Sequence, residues 1–247
     1  MMLNRLMDLI DKYTTISFDI YDTLILRKTF HPYDVFNMVE ELYVPKLSFD
    51  FFQERRRAEV ELRNYTDPNI YEIYSALQTN TGISSQTMQE LLNAEIETER
   101  KVTMPRQSVV DIYNEVKKSK RVFLISDMHL PIGTIKNNLD DFGITGYEDL
   151  LLSNEQRTCK KQALYKIYTD KFQHVNCLHI GDNYKTDYLR PRDFGIDTFW
   201  IPSAYEIFKS KNPHFIEPSS LDERLKLGEY ISREYQNPFK KYELPNG

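Results

Sequence analysis

The stretch Thr15-Ile16-Ser17-Phe18-Asp19-Ile20-Tyr21-Asp22-Thr23-Leu24 reads TISFDIYDTL. Its first half is a run of β-forming residues, and it delivers two acids into a Thr-Leu step where a strand should end. Carboxylates at a strand end, with a tyrosine between them, mark a candidate site.

Upstream, Leu3, Leu6, Met7, Leu9 and Ile10 repeat at the spacing of a short amphipathic helix over residues 3–12, which feeds the strand. Downstream, the period is helical from about His31 to Arg100. Pro32 suits a first turn before Val35, Phe36, Met38 and Val39, a second helix runs from Phe51 to about Tyr65, a third follows Asp67-Pro68, and a fourth follows Ser84-Ser85. No β-rich run falls in that block.

After Met104-Pro105, helices and strands alternate. Helices from about Gln107 to Lys118, Ile132 to Phe142, Lys160 to Lys171 and Tyr184 to Phe194 precede the apolar runs Val122 to Ile125, Leu150 to Leu152, Cys177 to Ile180 and Thr198 to Ile201. Such alternation predicts an α/β fold, a Rossmann-like parallel sheet wrapped by helices. The first strand belongs with the later ones, so the helical block is an insertion after it. The expected division is a core of residues 1–28 and 104–247 and a helical domain of residues 29–103. From Ala204 two further helices are expected, the second around Leu221 to Tyr235, packed on the sheet.

A chain of 247 residues can bury a sizeable core, and its formal charge of −5 argues against a nucleic-acid binder, whose affinity comes from Lys and Arg excess. The basic runs at Arg55-Arg56-Arg57 and Lys117 to Arg121 are short and flanked by acids, as on solvated helix faces. Two cysteines, Cys159 and Cys177, are too few for a disulfide framework and fit reduced thiols in a cytoplasm. No stretch approaches a spanning length, and the charged opening is no secretion signal. A cytoplasmic protein with neither membrane nor nucleic-acid partner is expected, as a monomer or homodimer.

Ligands of parallel α/β sheets sit at the carboxyl ends of the strands. Those positions hold Asp19, Ser126, Asp182 and Asp187, and Lys160 precedes the strand that carries Asp182. A carboxylate can attack phosphorus only if the anionic charge is offset, which a divalent cation and a lysine do. Mg²⁺ takes oxygen ligands, so Asp19, a backbone carbonyl and Asp182 could hold it, while Ser126 and nearby N–H groups hold phosphoryl oxygens.

With these residues in place, the chain resembles the haloacid dehalogenase superfamily. The family's four motifs read FDIYDTL, FLISD, CKKQAL and IGDNYKTD here, in order, across residues 16–187. The wording FDIYDTLILRK and LISDMHLP is most similar to a bacterial branch often found near surface-polysaccharide biosynthesis genes. The resemblance implies that Asp19 is the nucleophile, Ser126 the phosphate hydroxyl, Lys160 the third-motif lysine with Lys161 as alternative, and Asp19, the Tyr21 carbonyl, Asp182 and Asp187 the Mg²⁺ site. It also implies that residues 29–103 form a cap of the kind inserted straight after the first motif. The activity it implies is a phosphatase acting on a small phosphorylated metabolite, such as a sugar, polyol or amino-alcohol phosphate.

One position departs from the family's phosphatases, which carry a second aspartate two residues after the nucleophile to protonate the leaving oxygen. Here it is Tyr21, and a phenol of pKa near 10 is a poor base, so about 10² to 10⁴ in rate is at stake. Asp22 and His129 are the candidate replacements. For Asp22 to reach the site the chain must turn, because successive strand side chains point to opposite faces. Haloacid dehalogenases also have a tyrosine there, use no metal and displace halide, which leaves without a proton. The Gly181-Asp182 pair and Asp187 give more negative charge than such a pocket wants, and phosphate is therefore favoured. An inactive member acting as a scaffold is the third reading. Arg27 is a candidate to face substrate from the cap side, and Asn183 to support the metal acids. His31, His174, His179 and His214 show no metal-ligand spacing and are expected to be structural.

Overall fold

A computed structural model describes residues 2–42, 47–172 and 176–241. In chain order the elements of these residues are α1 (Met2–Ile10), β1 (Thr15–Phe18), β2 (Ile25–Arg27), α2 (Asp34–Leu42), α3 (Phe51–Arg63), α4 (Ile70–Thr81), α5 (Ser85–Val102), β3 (Thr103–Pro105), α6 (Gln107–Val116), β4 (Arg121–Ser126), α7 (Ile132–Asp141), β5 (Asp149–Leu152), α8 (Ser153–Gln156), α9 (Leu164–Phe172), β6 (Cys177–Gly181), β7 (Asp197–Trp200), α10 (Ala204–Lys211) and α11 (Leu221–Glu234).

The main sheet is parallel, in the order β5-β4-β1-β6-β7. Strand β1 is central and buried along its whole length, as the near-continuous apolar run of a doubly covered strand requires. Phe18 pairs with Leu124 on one side and with Ile180 on the other, so β1, β4 and β6 end within two residues of one another. That register collects the acids and hydroxyls that follow them at one sheet edge. Helix α1 does feed the first strand, as its spacing predicts, and buries Leu6 and Ile10.

Four helices of the described residues, α2 to α5, lie between β2 and β3. Asn69 and Glu72 start α4 with a reciprocal capping box, and Gly82 ends it in the left-handed conformation. Inside the block, Arg55 is fully buried and bonds Glu95 through Nε and Nη2, both at 2.8 Å. The entry and exit of the block are zipped by the antiparallel pair β2–β3, with Leu26 opposite Met104. Three-residue strands carry too short an alternation to be read from sequence, and this ribbon is not anticipated by the hydropathy pattern.

Two further elements differ from expectation. The helix expected from Lys160 starts at Leu164, and residues 160–163 form a turn. The segment expected as one helix from Tyr184 to Phe194 is a π-helical turn over Tyr184–Leu189 followed by a 3-10 turn over Arg190–Phe194, broken where Pro191 cannot donate.

The two C-terminal helices form as expected, but α11 packs on β2 and α2 rather than on the parallel sheet. Gly228 makes this contact feasible: a Cβ there would stand 2.3 Å from Phe30 N. Arg224 adds two bonds to Asp34 Oδ1, at 2.9 and 2.8 Å.

Candidate active site

Asp19 is the first residue past β1, and its N–H donates to Ile180 O at 2.9 Å, so sheet pairing extends to the acid itself. Lys160 reaches it from the turn before α9, where its own N–H donates to Asp127 Oδ1 at 2.8 Å. The Lys160 ammonium bonds Asp19 Oδ1 and also Asp187 Oδ1, the latter at 2.6 Å. Lys161 is exposed, so the fold brings Lys160 and not its neighbour to the site.

Asp187 is buried and fully engaged. Besides Lys160, its Oδ1 accepts Tyr165 Oη at 3.1 Å and faces His179 Nε2 at 3.4 Å, while its Oδ2 accepts Asn183 N–H at 3.0 Å. Gly181 permits this approach, since a Cβ there would sit 2.5 Å from the Asp187 Cβ. Asn183, through its side chain, also caps the following turn by accepting Lys185 and Thr186 N–H.

Asp182 is held from two sides: its Oδ1 accepts Thr23 Oγ1 at 3.2 Å and its carbonyl accepts Trp200 Nε1 at 2.5 Å. Carboxylate oxygens of Asp19, Asp182 and Asp187 lie within 4.8 Å of one another. Full ionisation of three acids around one lysine would leave two negative charges in excess. Burial accordingly pushes the Asp19 carboxyl up to about 7 against the pull of the Lys160 ammonium. Burial and the charges of Asp22, Asp19 and Asp187 raise Asp182 well above the usual carboxylate range. The ammonium, despite burial, holds Asp187 far below it. A set of hard oxygen donors whose full ionisation one lysine cannot offset has the chemistry of a divalent-cation site.

Ser126 ends β4, buried, and its hydroxyl makes no hydrogen bond among the described residues. The loop after it is pinned by α8: Met128 N–H donates to Ser153 Oγ at 2.9 Å and Asn154 Nδ2 to Leu130 O at 2.9 Å. His129 on that loop turns to the helical block. Its Nε2 lies 3.3 Å from Glu95 Oε1, and its carbonyl accepts Ile70 N–H at 2.8 Å.

Tyr21 packs its ring under the Arg27 guanidinium, 4.0 Å away, and its buried hydroxyl has no partner among the described residues. Arg27 donates to Glu99 at 3.2 Å. The turn that Asp22 needs is present: it has φ +59, in the left-handed region. Its carboxyl makes no hydrogen bond among the described residues, and burial raises its pKa against the pull of Arg27 and Arg106. His31 pairs with Glu217 at 2.5 Å, His214 is exposed, and His174 lies outside the described residues.

Sequence reasoning missed three contributors. Arg106, fully buried, donates to the carbonyls of Asp22, Pro202 and Gln236 at 2.7, 2.6 and 2.6 Å and so ties the loop after the nucleophile to the C-terminal segment. Its position just after the Met104-Pro105 boundary gives no sign of this. His179 and Tyr165 stand behind Asp187; the polar position inside the apolar run Cys177 to Ile180 was the available signal.

Comparison with family models and with curated protein sequences gives no match. Among solved structures, the chain is similar to YfnB of Bacillus subtilis, described as a HAD-hydrolase bound to magnesium, with 18% identity over 84% of this chain and 93% of that one and a TM-score of 0.55. It is also similar to a 2-haloacid dehalogenase from Pseudomonas syringae pv. tomato, at 15% identity, 89% and 97% coverage and a TM-score of 0.57. An L-2-haloacid dehalogenase from Xanthobacter autotrophicus, with chloropropionic acid covalently bound, gives 14%, 89% and 88%, and 0.54. At these identities the likeness is one of fold.

Proposed function

Because the chain has the fold of the haloacid dehalogenase superfamily, we propose that it is a Mg²⁺-dependent phosphatase of a small phosphorylated metabolite, with residues 29–103 as a cap over the site. The observation that carries this reading is the convergence of three acids, Asp19, Asp182 and Asp187, where a single ammonium, that of Lys160, is the counter-charge. A metal-free pocket for a haloacid anion would keep no such cluster of acids.

Asp19, Asp182 and the Tyr21 carbonyl would hold the cation, which when bound offsets charge on the phosphoryl group. Asp187, whose oxygens are taken by Lys160, Tyr165 and Asn183, serves the lysine instead. Lys160 holds one oxygen of Asp19 and leaves the other to attack phosphorus. Ser126, with its hydroxyl unengaged, receives a phosphoryl oxygen. The ester bond breaks as the aspartyl-phosphate forms, and water then attacks phosphorus to release phosphate and restore Asp19.

The leaving oxygen needs a proton. The Tyr21 hydroxyl is buried beside Arg27, and His129 is engaged with Glu95. Asp22 is left, next to Asp182 with its carboxyl unpartnered, and we assign it that role.

Purified protein with Mg²⁺ should release phosphate from a panel of sugar, polyol and amino-alcohol phosphates, and Asp19→Asn should abolish the release. Tyr21 in place of an aspartate favours one rival, and halide release from 2-haloacids without metal would establish it.

A further inference from the structure

Behind the proposed catalytic lysine lies a line of buried polar side chains that the mechanism does not use. Tyr168 Oη is 3.2 Å from Cys177 Sγ, which is 4.0 Å from Ser17 Oγ. Ser17 Oγ is 2.8 Å from His179 Nδ1, His179 Nε2 is 3.0 Å from Tyr165 Oη, and Tyr165 Oη donates to Asp187 Oδ1 at 3.1 Å. Ser17, Tyr165, Tyr168, Cys177 and His179 each have one exchangeable hydrogen when neutral. Their order fixes where each hydrogen goes.

Asp187 accepts only, since its Oδ1 already takes the Lys160 ammonium at 2.6 Å and its Oδ2 the Asn183 N–H at 3.0 Å. Tyr165 therefore gives its hydrogen to Asp187, and its oxygen can receive one only from His179 Nε2. That nitrogen must carry hydrogen, so Nδ1 of the neutral ring accepts from Ser17. The ring is fully buried and Nδ1 faces a neutral hydroxyl, so a second proton there would have no counter-charge. Cys177 can then donate to Ser17 and Tyr168 to Cys177, so that all five donors point one way, toward Asp187.

The strand register explains why this set exists. Ser17 pairs with His179 across β1 and β6, two positions before Asp19. The end of the chain of bonds fixes Asp187, and through Asp187 it fixes the ammonium that selects which oxygen of Asp19 stays free.

We propose that Ser17, His179 and Tyr165 are positioning residues for the nucleophile, with His179 held as the Nε2–H tautomer between the other two. The proposal rests on the phosphatase reading for its kinetic consequence but not for its tautomer. In ¹⁵N-histidine-labelled protein, His179 should show a pyridine-like Nδ1 and a pyrrole-like Nε2, assigned by loss of its signals in His179→Gln. In Tyr165→Phe, which removes one oxygen, the His179 Nε2–H proton resonance should move upfield. Tyr165→Phe and His179→Leu should each lower kcat by about tenfold with KM unchanged, and His179→Gln, which keeps a donor toward Tyr165, should recover most of the loss. A protonated Nδ1, a proton resonance unmoved in Tyr165→Phe, or an unchanged kcat in that variant overturns the proposal. If His179→Leu fails to fold by circular dichroism, Tyr165→Phe decides. If the wild type hydrolyses no phosphate ester, the phosphatase reading fails while the two resonance measurements still decide the tautomer.

Discussion

Asp19 and Asp187 share one counter-charge, the ammonium of Lys160, which bonds an oxygen of each. The sharing is unequal: Asp187 stays ionised and Asp19 is pushed up to about 7. The folded state therefore holds the Asp19 proton more tightly than the unfolded chain, whose ordinary aspartate value is 3.8. Stability from this group is complete below 3.8 and is lost as pH rises through 7. Metal-free protein should thus melt lower at pH 7.5 than at pH 5.5, and millimolar Mg²⁺ should remove the difference by binding the folded state alone. Scanning calorimetry at the two pH values checks it; a higher melting point at pH 7.5 without metal counts against it.

The helical block has the opposite sign. Glu95 and Glu59 both sit at about 2 despite burial, Glu95 chiefly because of Arg55 and Glu59 through His129 and Arg55. Their contribution is complete above the ordinary 4.5 and disappears as pH falls toward 2. Arg55→Met leaves Glu95 buried with only His129 and the Tyr74 hydroxyl as partners and should destabilise by about 3 kcal/mol, measured by urea unfolding at pH 7. A loss of under about 1 kcal/mol would show the pair to be replaceable.

Asp22 occupies a left-handed conformation that glycine adopts freely. Asp22→Gly should raise stability by about 1 kcal/mol. The same change removes the proposed proton donor, so turnover of esters with poor leaving groups should fall by about 10² to 10⁴, and far less for nitrophenyl phosphate. Equal losses for both substrate types would remove Asp22 from the mechanism.

Arg106→Met should be damaging although it lies outside the candidate site, because three backbone carbonyls lose their donor at once. At about 1 kcal/mol or more for each buried orphan, the loss should reach about 3 kcal/mol. Thermal unfolding of the variant tests this, and a shift within error of the wild type refutes it.

The parallel sheet and helical block were legible because long apolar runs and helical periods are signals summed over many residues. So was the meeting of Asp19, Asp182 and Asp187, which follow strand ends, with Lys160 from the turn before α9. Other features depend on partners distant in sequence. The direction of Asp22 is set by one backbone dihedral, that of His129 by Glu95 on α5, and the role of Arg106 by carbonyls at residues 22, 202 and 236. The β2–β3 ribbon escaped because three residues hold barely one period of a strand.

The direct contact between Gly228 and the backbone at Thr29 and Phe30 joins an early part of the chain to a late one. On a ribosome the linker leaves the exit tunnel long before the helix that grips it. The helical block can therefore pack internally during synthesis, yet the junction at β2 and α2 closes only after α11 emerges.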